Sequence, residues 1–278
     1  MLNACPLQAN EKIVLPFHNA DGFILINGSV NGHTGKLMLD TATPFNYLVN
    51  DNFVGLLRDV FFGSGHVSSG QSITIFEHNS PVAINLFYGM FESKSDKIKH
   101  ADLSFIENGI TSDFLGMIGH HFLYDKVFKI DYDNQNITFY DQLMDAISDA
   151  STIEITLHGD DMSLPYSIFN IDGVEIQGFF DTGSQGLLEL TEELEGELIA
   201  ANYLELLTFN GIYGEPISPG VIKLASLTGL NYESTLLRTI SALKYQRSNI
   251  NRISLGYQFL RNYKSIWALT NKNIFLVK

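Results

Sequence analysis

The sequence predicts a mainly β protein made of two lobes of similar design. Most of the chain consists of short apolar or alternating runs broken by Gly, Asn and Asp, which is typical of strands joined by tight turns. The two halves also carry the same signals in the same order, which indicates an internal duplication. We expect the first lobe over residues 1–148 and the second over residues 149–278.

The composition favours folded domains and excludes several classes of partner and site. A chain of 278 residues with 45% hydrophobic residues can bury one large core or two smaller ones. The 17 Lys and Arg residues against 31 Asp and Glu residues give a formal net charge of −14, which repels phosphate backbones and predicts no nucleic acid partner. The single cysteine, Cys5, excludes an internal disulfide and a cysteine-based zinc site.

Membrane insertion is not predicted, and the compartment stays open. No run approaches the roughly 18 consecutive apolar residues that a membrane span needs, so we expect no transmembrane segment. The start of the sequence lacks the basic and apolar regions of a secretory signal. The protein is therefore either cytoplasmic, or extracytoplasmic (periplasmic or secreted) with a signal removed.

Strand predictions are clearest at five places in the first half. These places are residues 23–26, 36–39, 72–76, 82–86 and 127–130. The best helix prediction covers residues 191–207, where Thr191 can cap and acidic residues fill the first turns, as the helix dipole favours. A weaker helix is predicted over residues 51–58.

The internal repeat rests on three kinds of paired segment. An apolar strand runs into Asp-Thr-Ala-Thr in one half and Asp-Thr-Gly-Ser in the other, with the aspartates 141 residues apart. A block of the form hydrophobic-Gly-x-x-Phe-Leu recurs after 137 residues, and each block leads into a predicted closing hairpin. The paired segments are residues 40–43 and 181–184, 118–123 and 255–260, and 128–139 and 266–276.

Two further features complete the predicted organisation. Glycine-rich hairpin tips form a weaker pair, at residues 62–70 and 209–220. The acidic stretch of small residues at 141–152 separates the halves and is the predicted linker.

Asp40 and Asp181 are the candidate catalytic residues. Each ends an apolar strand, where water is scarce and ionisation is costly unless hydrogen-bond donors are supplied. If the two turns meet, the carboxyl groups cannot both ionise easily and share one proton. One then acts as general base on a bound water, while the other, protonated, polarises a scissile carbonyl group.

The paired motifs resemble those of aspartic proteases of the pepsin/retropepsin type, in a single-chain form with retropepsin-like lobes. The likeness spans about residues 22–140 and 164–277. It implies a bilobal fold of two homologous β-barrel-like lobes related by a pseudo-twofold axis. It also implies an aspartic endopeptidase without a cofactor, which cleaves extended polypeptides bound between the lobes. Proton sharing by two aspartates is the established behaviour of that family. One chain supplies both aspartates, so dimerisation is not required.

The same resemblance implies roles for further residues. The hydroxyls of two residues interlock the two turns: Thr41 and Thr182. Four residues complete the turns around the carboxyl groups: Ala42, Gly183, Thr43 and Ser184. Three residues close over the substrate from the two hairpin tips: Gly65, His66 and Tyr213.

Two departures from that pattern leave alternatives open. Ala42 stands where the family has glycine, and Pro44 restricts the preceding residue and removes a backbone donor. The alternative function is a non-catalytic peptide-binding protein that retains the cleft. For the aspartates themselves, the alternative is that they only cap turns at strand ends.

Metal sites are not predicted. His120 and His121 are adjacent, and on one strand they would point to opposite faces without a third ligand at useful spacing. Asp131 and Asp133 are predicted to mark a hairpin turn, and residues 160–161 a loop, rather than a calcium site.

Overall fold

The computed structural model describes most of the first half of the chain and several separate parts of the second. The described residues are 12–66, 72–147, 152–159, 164–171, 173–185, 187–189, 200, 204–207, 223–227, 231–233, 235–236, 240–245 and 252–278. The lobe boundary predicted at residue 148 lies outside them and stays a prediction.

Short strands dominate both halves. The strands of the first half are β1 (Ile13–Pro16), β2 (His18–Ala20), β3 (Phe23–Val30), β4 (His33–Leu39), β5 (Tyr47–Asn50), β6 (Phe61–His66), β7 (Ser72–His78), β8 (Val82–Leu86), β9 (Phe91–Ser95), β10 (Ile98–Ala101), β11 (Phe114–Ile118), β12 (Val127–Asp131) and β13 (Asn136–Tyr140). Those of the second half are β14 (Thr152–Thr156), β15 (Tyr166–Ile171), β16 (Val174–Phe180), β17 (Leu187–Glu189), β18 (Leu204–Leu207), β19 (Lys223–Leu227), β20 (Asn231–Tyr232), β21 (Thr235–Leu236), β22 (Ile240–Tyr245), β23 (Arg252–Leu255), β24 (Lys264–Ala268) and β25 (Asn273–Val277). The five predicted strand runs are confirmed, in β3, β4, β7, β8 and β12.

The strands of the described residues form three sheets. The first has the order β1-β13-β12-β24-β25-β14, and the second has the order β6-β7-β10-β5-β11-β4-β3-β8-β9 with β2 paired to β3. The third has the order β18-β19-β22-β17-β23-β16-β15-β20-β21. The mainly β prediction is confirmed. The prediction of β-barrel-like lobes is not met in these residues, because each sheet runs from one edge strand to another and does not close.

The second and third sheets share one strand order. The run β10-β5-β11-β4-β3-β8 corresponds to β22-β17-β23-β16-β15-β20. In both sheets the strand before the aspartate pairs in parallel with the strand that opens the Gly-x-x-Phe-Leu block, so that Leu39 is opposite Ile118 and Phe180 is opposite Leu255. Each aspartate therefore leaves its sheet at the same place relative to that block.

The first sheet is built from both halves of the chain. Its central strands, β12 and β24, pair antiparallel, with Phe128 opposite Trp267. Both predicted closing hairpins are confirmed, as β12–β13 and β24–β25. The two halves are thus joined by main-chain hydrogen bonds as well as by side-chain packing.

Helices are short in the described residues. They are α1 (Asp51–Val54), α2 (Ser104–Gly109), α3 (His120–Leu123), α4 (Leu143–Ala146) and α5 (Tyr257–Leu260), with 3₁₀ turns at Phe87–Gly89 and Leu269–Asn271. None of the helices described has the length and apolar character needed to span a bilayer. Helix α4 lies within the predicted linker, where Ala146 packs on the first sheet beside Ile266 and Phe275.

Both helix predictions need correction. The helix over residues 51–58 stops at α1, because Gly55 adopts a left-handed φ of 75° and its N–H caps the Asp51 carbonyl oxygen. The helix over residues 191–207 is wrong at its end, where Leu204–Leu207 is strand β18 paired with β19. Ala200 is helical, as predicted, and residues 191–199 and 201–203 lie outside the described residues. Pairing with a neighbouring strand outweighs local helix propensity here.

One apolar core connects the two halves. The rings of Phe128 and Trp267 stack across the central strand pair with centroids 5.7 Å apart and an interplanar angle of 9°. Phe180, the residue before Asp181, meets the Trp267 ring edge-on at 6.2 Å. The turn that carries Asp181 therefore lies next to the apolar core at the first sheet, the sheet that both halves share.

We expect Trp267→Ala to lower the free energy of unfolding by about 3–5 kcal/mol, because Trp267 is only 1% exposed and its loss leaves a cavity between the halves. Chemical denaturation followed by circular dichroism measures this loss. Met144, which is 77% exposed, supplies the control, since Met144→Ala should change stability by less than about 0.5 kcal/mol. Equal losses in the two variants would contradict a shared core.

Candidate active site

Asp40 and Asp181 occupy equivalent places at the ends of β4 and β16. The Asp40 N–H donates to the Ile118 carbonyl oxygen at 2.9 Å, and the Asp181 N–H donates to the Leu255 carbonyl oxygen at 3.3 Å. Ile118 and Leu255 are the apolar residues that open the two Gly-x-x-Phe-Leu blocks. Each block therefore holds the backbone of the aspartate in its own half.

A short helix stands behind each turn. The His120 N–H, at the start of α3, donates to the Thr43 carbonyl oxygen at 2.8 Å, and the Tyr257 N–H, at the start of α5, donates to the Ser184 carbonyl oxygen at 2.9 Å. A Cβ at Gly119 would collide with the Thr43 carbonyl oxygen. Gly119 is therefore required in the first block, because the turn of Thr43 approaches it too closely for a side chain.

Thr41 and Thr182 join the two turns reciprocally. The Thr41 hydroxyl donates to the Phe180 carbonyl oxygen at 2.8 Å and accepts from the Thr182 N–H at 3.1 Å. The Thr182 hydroxyl donates to the Leu39 carbonyl oxygen at 2.7 Å and accepts from the Thr41 N–H at 3.1 Å. Both threonines are buried. These four hydrogen bonds fix the separation of the two aspartates.

Donors within each turn satisfy the carboxyl groups. Asp40 accepts from the Ala42 N–H at 2.9 Å and from the Thr43 hydroxyl at 2.7 Å. Asp181 accepts from the Gly183 N–H at 2.8 Å. The small residue two positions after each aspartate therefore brings its N–H to the carboxyl group.

Gly183 lies directly against the opposite carboxyl group. A Cβ at this position would lie 2.5 Å from Asp40 Cγ, so only glycine fits. The matching residue of the first half, Ala42, does not have a positive φ, so alanine brings no backbone strain. Pro44 follows at an exposed position. Neither departure from the family pattern disturbs the hydrogen bonds around Asp40.

Burial raises the pKa of both carboxyl groups above the usual value of 3.8, and more strongly for Asp181. Hydrogen bonds from Thr43 and Ala42 draw the pKa of Asp40 back down, whereas the charge of Asp40 raises the pKa of Asp181 further. The interaction between the two carboxyl groups lowers the pKa of Asp40 and raises that of Asp181. The pair therefore holds a proton on Asp181 at pH values at which an isolated aspartate is ionised.

Ser254, which was not predicted from the sequence, also reaches the carboxyl pair. It lies on β23, and its Oγ is 3.3 Å from Asp181 Oδ2. The corresponding residue of the first half, 137 positions earlier, is Met117, whose sulfur lies 3.4 Å from the Thr43 hydroxyl oxygen. The signal in the sequence is that Ser254 directly precedes the second Gly-x-x-Phe-Leu block, whereas the apolar Met117 precedes the first.

The structure describes only some of the remaining predicted site residues. Gly65 and His66 end strand β6, where they pair with Ile73 and Ser72 of β7. The tip of this hairpin, residues 67–71, and Tyr213 lie outside the described residues. Ser184 is buried in its turn, and its N–H donates to the Asp181 carbonyl oxygen at 3.3 Å.

His120 and His121 begin helix α3, so the prediction that they lie on one strand is wrong. Burial and the neighbouring His121 lower the pKa of His120 to about 4. Among the residues that the structure describes, no group of three or more His, Cys, Asp or Glu side chains could hold a metal ion. Asp131 forms the predicted hairpin turn by accepting from the Asn134 N–H at 3.0 Å, and residues 160–161 lie outside the described ranges.

Comparison with known proteins shows a shared fold. No family model matches the chain, and no curated protein matches it. A solved structure, that of basic 7S globulin from soybean, is similar with a TM-score of 0.54 and 11% sequence identity, over 97% of this chain and 95% of that chain. At this identity the likeness concerns the fold alone.

The expectation that the chain is a pepsin/retropepsin-type aspartic protease is therefore corrected. The structural match is to basic 7S globulin, and neither family models nor curated proteins support the family identification. The Asp-Thr-Ala-Thr and Asp-Thr-Gly-Ser motifs carried part of that expectation, and their residue types follow from the turn itself. Threonine interlocks the turns, and a small residue allows the N–H to approach the carboxyl group.

Thr41→Val tests the interlock between the turns. Valine keeps the shape but leaves the Phe180 carbonyl oxygen and the Thr182 N–H without their partner, so we expect a loss of about 1–3 kcal/mol in the free energy of unfolding. Thr34→Val, at an exposed position of β4, is the matched control and should change stability by less than about 0.5 kcal/mol. Equal midpoints of urea denaturation in the two variants would refute the interlock.

Asp181→Asn should raise stability, and the gain should depend on pH. Because the pKa of Asp181 is raised in the folded state, the wild-type free energy of unfolding falls as pH rises above 3.8 towards the folded pKa. The variant lacks this fall, so its melting temperature should match that of the wild type at lower pH and exceed it at neutral pH.

Asp131→Asn is the opposite control for that experiment. Burial raises the pKa of Asp131, but hydrogen bonds from Asn134 and Lys264 outweigh this effect and leave the pKa lowered. The wild-type free energy of unfolding therefore rises as pH rises from the lowered folded-state pKa to 3.8, so this variant should match the wild type at the lowest pH and be less stable above 3.8. If both variants changed stability in the same direction, the protonated state of Asp181 would be disproved.

Proposed function

We propose that this protein is an aspartic-type endopeptidase, which hydrolyses extended polypeptides with a water molecule activated between Asp40 and Asp181. The observation that carries the proposal is that reciprocal threonine hydrogen bonds hold the turns of Asp40 and Asp181 together, one from each half, with Gly183 directly against the Asp40 carboxyl group. Two carboxyl groups whose pKa values are driven apart supply a base and an acid at the same pH. The proposal rests on this geometry and not on family membership.

In the proposed reaction Asp40 is the general base and Asp181 the general acid. Asp40 removes a proton from the water, whose oxygen bonds to the carbonyl carbon, while Asp181 donates its proton to the carbonyl oxygen. In the second step Asp40 passes its proton to the amide nitrogen, the C–N bond breaks, and a hydroxyl of the intermediate returns a proton to Asp181. The pair ends in its starting protonation state.

The hydrogen bonds around Asp40 support its role as the base. The Ala42 N–H and the Thr43 hydroxyl both donate to this carboxyl group, which stabilises its ionised form. Gly183 approaches Asp40 so closely that no side chain can intervene. The negative charge is therefore proposed to rest on Asp40 before substrate binds.

An apolar cluster beside Asp40 supports apolar side chains in the substrate. Met117 belongs to this cluster and contacts the Thr43 hydroxyl, which itself bonds to Asp40. The partly buried members of the cluster are Ala20, Phe23, Phe45, Phe105 and Ile110. We propose that they accept an apolar side chain next to the scissile bond.

The proposed architecture is two lobes related by a pseudo-twofold axis, with the polypeptide bound between them. It is supported by the repeated strand order of the second and third sheets and by the reciprocal threonine bonds. The hairpin of β6 and β7, which carries Gly65 and His66, is proposed to cover the bound peptide. Tyr213 keeps the corresponding role in the second half as a prediction from the sequence.

The alternative function is a non-catalytic peptide-binding protein. It was suggested by Ala42 and Pro44, but Ala42 has no positive φ and its N–H donates to Asp40. We therefore propose cleavage alone, and the following experiment distinguishes it from peptide binding without cleavage.

Cleavage of a fluorogenic peptide library from acidic to mildly alkaline pH tests the proposed function. We expect the wild-type protein to cleave, and we expect Asp40→Asn and Asp181→Asn each to abolish cleavage, because neither amide can replace the missing base or acid. Mass spectrometry identifies the cleaved bonds. Asp133→Asn, at an exposed position, is the control and should keep full activity.

Two outcomes would contradict the proposal. One is a wild-type protein that cleaves no peptide of the library at any pH. The other is cleavage that survives in both carboxyl variants, which would assign it to other residues or to a contaminating protease. In either case, peptide binding measured with the same library would favour the non-catalytic alternative.

A further inference from the structure

We propose that Ser254 is a positioning residue for Asp181, whose carboxyl group it orients by donating its hydroxyl hydrogen to Oδ2. The inference deepens the proposed function and rests on it, since Asp181 is the proposed acid. The contact that carries it is the 3.3 Å separation between Ser254 Oγ and Asp181 Oδ2.

The register of the third sheet brings Ser254 to this place. Strand β23 pairs in parallel with β16, so that Ser254 is opposite Phe179 and Leu255 is opposite Phe180. Ile253 and Leu255 are fully buried, whereas Ser254 is half-buried. Because side chains alternate along a strand, Ser254 lies on the face opposite its two apolar neighbours. Its hydroxyl therefore meets the carboxyl group outside the core.

The internal repeat shows that the hydroxyl is specific to one half. In the first half the same position is Met117, and a thioether sulfur cannot donate a hydrogen bond to a carboxylate. Asp40 Oδ2 instead accepts from the Thr43 hydroxyl at 2.7 Å, within its own turn. The two carboxyl groups are thus held from different directions, and only Asp181 is contacted from the strand of the Gly-x-x-Phe-Leu block.

Loss of the Ser254 hydroxyl should change the pKa of Asp181, the proposed acid, without removing any hydrogen bond to Asp40, the proposed base. A donor to the ionised carboxyl group lowers its pKa, so Ser254→Ala should let Asp181 keep its proton to higher pH. The other titratable groups that interact with Asp181 among the described residues are Asp40 and Tyr132. Burial, with smaller contributions from Tyr257 and Asp181, raises the pKa of Tyr132, so this phenol stays neutral in the range tested.

The first test is the pH dependence of kcat/KM for a cleaved peptide. In Ser254→Ala the alkaline limb should move to higher pH, and kcat at the optimum should fall about three- to tenfold because the acid is less well oriented. Ser254→Thr keeps a hydroxyl and should restore the wild-type profile. Ser93→Ala is the matched control: Ser93 is also half-buried, and its hydroxyl makes a bond of the same 3.3 Å length, to Tyr47.

A second test does not depend on cleavage. Carbon-13 labelling of the aspartate carboxyl groups allows their titration to be followed by NMR, with Asp181→Asn identifying the resonance of Asp181. The resonance should titrate at higher pH in Ser254→Ala than in the wild type, and at the wild-type pH in Ser93→Ala.

The two tests separate this inference from the proposed function. If the wild-type protein cleaves nothing but the Asp181 resonance shifts in Ser254→Ala, the endopeptidase proposal fails and the positioning of Asp181 by Ser254 stands. If the wild-type protein cleaves and Ser254→Ala leaves both the alkaline limb and the resonance unchanged, the role of Ser254 is overturned and the endopeptidase proposal stands.

Discussion

The reciprocal hydrogen bonds between the turns of Thr41 and Thr182 are the constraint on which the site depends. Each hydroxyl serves as donor to a carbonyl oxygen and as acceptor from an N–H of the opposite half, so neither turn is satisfied without the other. The shared sheet, with the stacked rings of Phe128 and Trp267, supplies the rigid support beneath them. The hydroxyl hydrogen bonds between the two turns therefore bring together two carboxyl groups that electrostatic repulsion alone would keep apart.

The electrostatic result of that closeness is that the pKa of both carboxyl groups is raised, and that of Asp181 more strongly. Two buried carboxyl groups in contact cannot both ionise easily, and the donors around them decide which group ionises first. Asp40 receives the Ala42 N–H and the Thr43 hydroxyl at short distances, whereas Asp181 receives the Gly183 N–H and the longer contact from Ser254. The two aspartates thus occupy equivalent backbone positions but have different hydrogen-bond donors, which drive their pKa values apart.

The corrections to the sequence-based predictions have identifiable physical causes. Residues 51–58 end as a helix after one turn because Gly55 accepts a left-handed conformation, and Leu204–Leu207 is a strand because a neighbouring strand pairs with it. His120 starts a helix because its N–H bonds to the turn of Thr43. The family identification is corrected because the structural match, at 11% identity, concerns the fold alone, and no family model or curated protein matches the chain.

The sequence by itself determined the mainly β class, the positions of the strands, the paired Asp-Thr turns and the closing hairpins. These features follow from alternation, turn residues and constant spacing, which are local properties of the chain. Only the tertiary structure decided that Ser254 reaches Asp181, that Gly183 abuts Asp40, and that burial and the charge of Asp40 raise the pKa of Asp181. These contacts join residues far apart in the chain, and they depend on strand register and burial, which arise only when the sheets assemble.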